Sequence, residues 1–492
     1  MSFGFPLPPG RLADAAMVRV LAADGDEIEA SVRPLETWRD GGKEGTIRSV
    51  LVQFPRDFSK QRRQTVTIVL GQRRTKDGNR FVPVAETLLD KDGLKGPRVW
   101  ATLPAKWLCD SGVAGPQVPA AESGDYAAYD RWVEVNFPGS LRYLNSTEFD
   151  HWLYDRPAGY YKMYVRTGDL KFLQAAYETA HFVRLHTVAD GPLAGIFSVK
   201  EEIDLKYVYP RAMHLHYLLT GDERALEAGK LMAKLWLGGW EPGYEPGKRN
   251  ASVGDSGWAA RYEGYGLLAI LHGWEMTGDR AYWNKARQYA DAVYKHQTSP
   301  PDGRPADGSF RTSRQNEQGF RASSSPWMTS ILLDGLFHYW TSTGDDRVGG
   351  MVTRWCDFLD RHGMVPDGSA AYYMIRSPVS DPGTGESDIG PDMELHNPEV
   401  AYMFAMGVYF SKDPERTAAY RKRFDQAFRL ATALDHHNVL DHRALPGRET
   451  DMSVRSFNWS FQASSQIIYF LQHAGEKATT LAQPTPSGAG VP

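Results

Sequence analysis

A tripeptide that recurs through the second half of the chain limits its fold more than any other feature. Thr-Gly-Asp stands at Thr167-Gly168-Asp169, Thr220-Gly221-Asp222, Thr277-Gly278-Asp279 and Thr343-Gly344-Asp345, with a worn copy at Ser411-Lys412-Asp413-Pro414. The glycines are 53, 57 and 66 residues apart (168 to 221, 221 to 278, 278 to 344). Glycine supplies the left-handed residue that closes a helix, and Asp caps the helix that follows. Copies at nearly one spacing mark stacked helical hairpins.

The helix after each motif reads as amphipathic: Phe172, Ala176, Val183; then Ala225, Ala228, Met232, Leu235; then Tyr282, Ala286, Tyr289, Val293. The helix before it is apolar all round, as in Tyr262, Tyr265, Leu268, Trp274. That contrast predicts an inner ring wrapped by an outer one. Five pairs, a last helix from Phe457 to Leu471 and a possible twelfth at Tyr126 to Val135 predict an (α/α)6-type toroid over residues 144–474.

Ahead of it the period changes to two. Val18 and Val20, Ala30 to Val32, Ile47 to Phe54, Thr65 to Leu70 and Val99 to Leu103 are β-branched runs separated by turn dipeptides such as Asp24-Gly25 and Asp77-Gly78. Residues 1–110 are therefore expected to form an antiparallel β-barrel or sandwich. Residues 111–143, whose first part is rich in Gly, Pro, Ala and Ser, are expected as a linker, and 475–492 as a disordered tail.

Composition excludes several functions. Lys plus Arg is 56 against 60 Asp plus Glu, a net charge of −4, which does not suit a nucleic-acid or anionic-membrane binder. Two cysteines exclude a disulfide scaffold. No apolar run approaches the roughly 18 residues of a membrane span. Met1 to Arg11 does not read as a signal peptide, so the chain is expected to be cytoplasmic, or a mature form whose leader was removed. Aromatics reach 12%, which suits stacking on sugar rings as well as a large core.

The opening Pro6-Leu7-Pro8-Pro9-Gly10-Arg11-Leu12, followed by Asp24-Gly25 and Val32, resembles the N-terminal RIFT-type barrel of rhamnogalacturonan exolyase-like proteins. The stretch Trp152-Leu153-Tyr154-Asp155-Arg156, with Tyr160-Tyr161 and Arg166 to Asp169, resembles their toroid. The resemblance implies a β-barrel followed by a toroid, and degradation of an acidic polysaccharide. The Thr-Gly-Asp hairpin is shared by many toroid hydrolases and lyases, so it marks fold more than reaction.

Chemistry in a toroid is expected where the inner helices start. Those starts carry Tyr154 and Arg156; Asp204, Lys206, Tyr207 and Arg211; Asp255, Trp258, Arg261, Tyr262 and Glu263; Arg321 and Trp327; Asp392, Glu394, His396, Asn397 and Glu399; and Arg455, Asn458 and Trp459. β-Elimination on a uronate needs a cation or amide to neutralise the carboxylate, a base for the neighbouring C–H and an acid for the leaving oxygen. The expected catalytic set is Tyr262 and His396, backed by Arg261 and Asn397. Tyr154, Arg156, Lys206, Tyr207, Arg211, Trp258, Arg321, Trp327, Arg455, Asn458 and Trp459 are expected to bind substrate. A glycoside hydrolase is the alternative and would use two carboxylates from Asp204, Glu263 and Glu394. A third reading is a carbohydrate-binding protein without catalysis.

No cofactor and no metal are expected. Ca²⁺ at Asp381, Glu386, Asp388 and Asp392 is the one ion considered, without EF-hand spacing. His214 and His216 are two apart on a helix and should face different ways. His436-His437 reads as a surface pair near a helix end.

Overall fold

The structure is a computed structural model and describes residues 1–59, 61–200, 203–243, 258–300, 303–312, 323–376 and 393–475. The chain begins with β1 (Ser2–Pro6), β2 (Val18–Leu21), β3 (Ser31–Asp40), β4 (Lys43–Gln53) and β5 (Thr67–Leu70). Two short helices follow, α1 (Ala105–Asp110) and α2 (Ala127–Ser140), the second inside residues 111–143.

Five helical hairpins come next. They are α3 (Arg156–Thr167) with α4 (Leu170–Leu185), α5 (Pro210–Thr220) with α6 (Glu223–Gly239), and α7 (Ala260–Thr277) with α8 (Arg280–Thr298). The series continues with α9 (Pro326–Thr343) and α10 (Arg347–Phe358), then α11 (Asn397–Phe410) and α12 (Pro414–Ala431). α13 (Val454–Ser464) and α14 (Ile467–Gln472) end the described chain.

Contacts between helices close a ring. α3 touches α5, α5 touches α7, α7 touches α9, α9 touches α11, α11 touches α13, and α13 returns to α3. α4, α6, α8, α10 and α12 each pack outside their partner, and α2 packs on α13. The toroid expectation therefore holds, with the segment at 126–135 in the twelfth position. No helix among the described residues is long and apolar enough to cross a membrane.

The motif works through all three of its residues. Gly168, Gly221, Gly278 and Gly344 end α3, α5, α7 and α9 at φ 69°, 74°, 69° and 66°. Asp222, Asp279, Asp345 and Asp413 accept from backbone N–H groups two residues on; Asp169 makes no such cap bond. The threonine closes the loop. Each Thr Oγ1 donates to the carbonyl four residues back and accepts from the following Asp N–H, as Thr220 does with His216 (2.6 Å) and Asp222 (3.1 Å).

The N-terminal expectation needs correction. The strands form a three-stranded antiparallel sheet, β1-β4-β3, and a separate β2-β5 pair, and this pairing does not close a barrel. Ser2–Pro6 is a strand, whereas Val99 to Leu103 is not. There, the Leu103 N–H donates to the Tyr164 phenol on α3 instead of to a neighbouring strand. The reason is alternation across the sheet. Phe3, Phe5, Val32, Val50 and Val52 join a small core of their own. Gly4, Ser49 and Leu51 face the toroid: a Cβ on Gly4 would lie 2.2 Å from the Leu218 carbonyl, and Ser49 Oγ donates to that carbonyl at 2.7 Å. The sheet thus sits on the C-terminal ends of the inner helices, opposite the end where chemistry is expected.

Candidate functional site

The six inner helices start at one end of the ring, so their positive dipole ends point the same way. Here the chain is strained. Tyr154 and Asp155, immediately before α3, hold φ of 78° and 52°. Two successive left-handed residues with side chains are costly and persist only where the surroundings enforce them. That backbone turns Tyr154 onto Trp459, the rings stacking at 4.6 Å.

Trp459, midway along α13, is the hub. Its ring centroid lies 4.7 Å from that of Trp327 and 4.6 Å from that of His396. Trp327 in turn faces His396 at 6.0 Å and 19°, and the Arg261 guanidinium lies 5.6 Å from the Trp327 ring centroid and 5.4 Å from that of Tyr262. The starts of α3, α7, α9 and α11 and the middle of α13 therefore share one aromatic platform with a cation and an imidazole on it. Trp327 Nε1, Trp459 Nε1 and His396 Nδ1 have no hydrogen-bond partner among the described residues.

Beside the platform, Tyr262 stacks on Trp240 at 4.9 Å and its phenol donates to Asp204 Oδ1 at 3.2 Å. Lys206 Nζ meets the other oxygen of Asp204 at 2.9 Å. Glu263 points elsewhere. Its Oε1 accepts from Trp240 Nε1 and the Gly243 N–H, and burial pushes its carboxyl up to about 7. Glu394 is half-buried, and its carbonyl accepts from Asn397 Nδ2 at 3.1 Å, so the Asn397 amide holds the turn into α11. Glu399 is buried, accepts from Ser460 Oγ at 2.7 Å and lies 3.8 Å from His396 Nδ1.

Other expected binders serve the scaffold. Arg156 is buried over Trp152, and its guanidinium donates to the carbonyls of Tyr143 and His151. Arg211 pairs with Asp334 at 2.8 Å in the ring interior. Trp258 stacks on His296 at 3.9 Å. Tyr207 donates to Asp150 at 3.2 Å, Arg455 approaches the same carboxylate at 3.8 Å, and Asn458 donates to the His151 carbonyl at 3.5 Å. Arg321, Asp255, Asp392 and the 381–392 acidic loop lie outside the described residues, as does nearly all of the 475–492 tail.

Tyr373 escaped the sequence, and Asp155, legible there only as one more carboxylate at a helix start, is placed by the fold. Tyr373, 6.1 Å from His396 and 5.9 Å from Trp327, comes from a loop with no helical phase to mark it. Asp155 is fully buried near Arg211, Lys162 and Asp334, and desolvation lifts its carboxyl to about 7 despite the opposing guanidinium. Lys162, also buried, falls to about 8. An Asp beside a helix start reads as a cap, so nothing local signals its burial.

No protein-family model and no curated protein matches the sequence. Solved structures do match over most of the chain. A glycosyl hydrolase family 88 protein from Bacteroides vulgatus aligns with a TM-score of 0.46 at 12% identity, over 70% of this chain and 99% of its own. An unsaturated glucuronyl hydrolase from Bacillus sp. GL1 aligns with a TM-score of 0.41 at 16% identity, over 65% and 86%. A cellobiose 2-epimerase from Spirochaeta thermophila aligns at 0.46 and 12%, over 67% and 86%. None of these three is a rhamnogalacturonan exolyase, so the resemblance drawn from the N-terminal residues gains nothing from them.

Proposed function

We propose that the chain is an enzyme acting on a uronate-containing oligo- or polysaccharide, and that it cleaves by β-elimination. One observation carries the reading: the Tyr154–Trp327–Trp459–His396 platform, with Arg261 over Trp327 and unpaired polar edges at its centre. Flat rings stack on pyranose faces. Convergent helix starts and Arg261 suit a carboxylate.

The chemistry assigns the residues as follows. Arg261 neutralises the substrate carboxylate and so acidifies the adjacent C–H. One of Tyr262 and His396 takes that proton; the electron pair forms the new C=C bond as the neighbouring C–O bond breaks, and the other protonates the leaving oxygen. Asp204 holds the Tyr262 phenol and offers it a proton acceptor. Asn397 positions the start of α11.

Hydrolysis is the second reading, favoured by Glu263. A carboxyl raised to about 7 is protonated near neutrality, as a general acid must be. Ultraviolet absorbance and reducing ends, followed together on a panel of uronate glycans, separate the two. Both signals rising together support elimination. Reducing ends alone support hydrolysis, and a panel of negatives with glycan-array binding overturns catalysis altogether.

A further inference from the structure

At the other end of the ring, under the small sheet, three side chains converge without an obvious reason to do so. His214 on α5 and His272 on α7 bring their Nδ1 atoms within 3.0 Å of each other. Glu275, one turn on from His272, places Oε2 3.1 Å from His272 Nδ1 and 3.4 Å from His214 Nδ1. All three residues are buried. A tetrahedral zinc ion with bonds of about 2.0–2.1 Å separates its ligands by about 3.3 Å, which is the spacing of this triangle.

The surroundings orient these atoms as ligands. His214 Nε2 lies 2.8 Å from Glu36 Oε2, so Nδ1 is the nitrogen that faces the centre. This is the carboxylate–histidine arrangement that commonly backs a metal-bound imidazole. The other oxygen of Glu275 accepts from His338 Nε2 at 2.7 Å. A cavity of about 40 Å³ borders His272 and Glu275, enough for a fourth ligand such as water. Arg48 Nη1 lies 3.0 Å from Glu36 Oε1 and 3.1 Å from Glu275 Oε2, so a cation bound here would share Glu275 Oε2 with the guanidinium.

We propose that His214, His272 and Glu275 bind a divalent cation of the zinc class, as a structural clasp between α5 and α7 beneath β3 and β4. Nitrogen and carboxylate donors in this number suit zinc over calcium or magnesium, which prefer all-oxygen shells. Another buried trio, His181, His216 and Asp222, is a poorer host. Its Asp222 oxygen is 3.9 and 4.0 Å from the two imidazoles, wider than the ligand spacing of one tetrahedral zinc ion. The clasp does not depend on the proposed carbohydrate chemistry: His272 stands 11 residues beyond Arg261 on α7, or about 16 Å along the helix.

The test is metal binding by the full chain. Protein stripped with a chelator is titrated with Zn²⁺ and Co²⁺, with bound metal, visible absorbance and Tm as readouts. The expected result is one equivalent bound, a cobalt spectrum of tetrahedral type, and a Tm raised on the order of 5 °C by zinc. Glu275→Gln and His272→Ala should lose the metal, while His181→Ala keeps it. Unchanged Tm with no metal retained by the wild type overturns the proposal. So does metal that survives both substitutions, or that His181→Ala removes. The wild-type cobalt spectrum decides the case even where a variant fails to fold.

Discussion

The Tyr262 phenol donates to Asp204 Oδ1 at 3.2 Å and so ties the start of α7 to the segment leading into α5. The two residues are 58 positions apart in sequence. If Tyr262 exchanges a proton with substrate through this bond, Tyr262→Phe should lower kcat at least about 100-fold, the usual scale of a general acid–base group. Tm should fall only by the equivalent of about 1 kcal/mol, the net worth of one hydrogen bond. Glu263→Gln should keep elimination activity. The reverse pattern, an active Tyr262→Phe and a dead Glu263→Gln, removes Tyr262 from the chemistry and supports the hydrolase.

Arg261 is planar and lies over Trp327. Lysine keeps the charge but loses the stacking and the bidentate fork. Arg261→Ala should abolish turnover of uronates, and Arg261→Lys should restore little of it, with circular dichroism unchanged in both. Full activity of the lysine variant would reduce the role of Arg261 to charge alone.

Asp155 should make the protein lose stability as pH rises from about 4 to 7. Its carboxyl titrates near 7 in the fold, pushed up by burial, against an ordinary value of 3.8. Below about pH 4 both folded and unfolded chains hold the proton. Between 4 and 7 the unfolded chain releases it first, so this group's contribution to stability falls as pH rises, then levels off above 7. Asp155→Asn does not titrate, and Asn tolerates the left-handed backbone found there. The Tm of Asp155→Asn minus that of the wild type should therefore climb from pH 5 to pH 8. A difference that stays flat with pH would mean the carboxyl is not raised.

Gly4 meets the Leu218 carbonyl so closely that a methyl group has no room. Gly4→Ala should lift β1 off α5 and cost about 1–3 kcal/mol, the range for overpacking a tight contact. Thermal unfolding measures it. An unchanged Tm would mean the sheet does not rest on the ring there.

Local chemistry explains which parts were legible. Thr-Gly-Asp is a local signal, because a left-handed glycine and a capping Asp act within four residues. The hairpins, their order and the inner and outer faces followed from it and from the 3.6 period. Aromatic and charged residues at the inner-helix starts were also visible, because they stand one helix length before each motif. The N-terminal segment was legible only as strands. Whether paired strands close a barrel depends on partners far along the chain, and β1 shows one face to its own core and the other to α5.

Function-bearing geometry was decided by ring closure. The sequence by itself determined which residues stand at the helix starts. It did not determine that Trp459 and Tyr154 touch across 305 positions, because that contact exists only once α13 returns to α3. Nor did it separate Arg261, which faces the platform, from Arg156 and Arg211, which are buried in the scaffold. All three follow the same helical phase, and only packing decides which guanidinium is held in the ring interior and which lies over the platform rings. His214 and His216 show the same division. The helical twist sends them to different faces, as their spacing requires, but only the stacking of α5 on α7 brings His214 to His272 and Glu275.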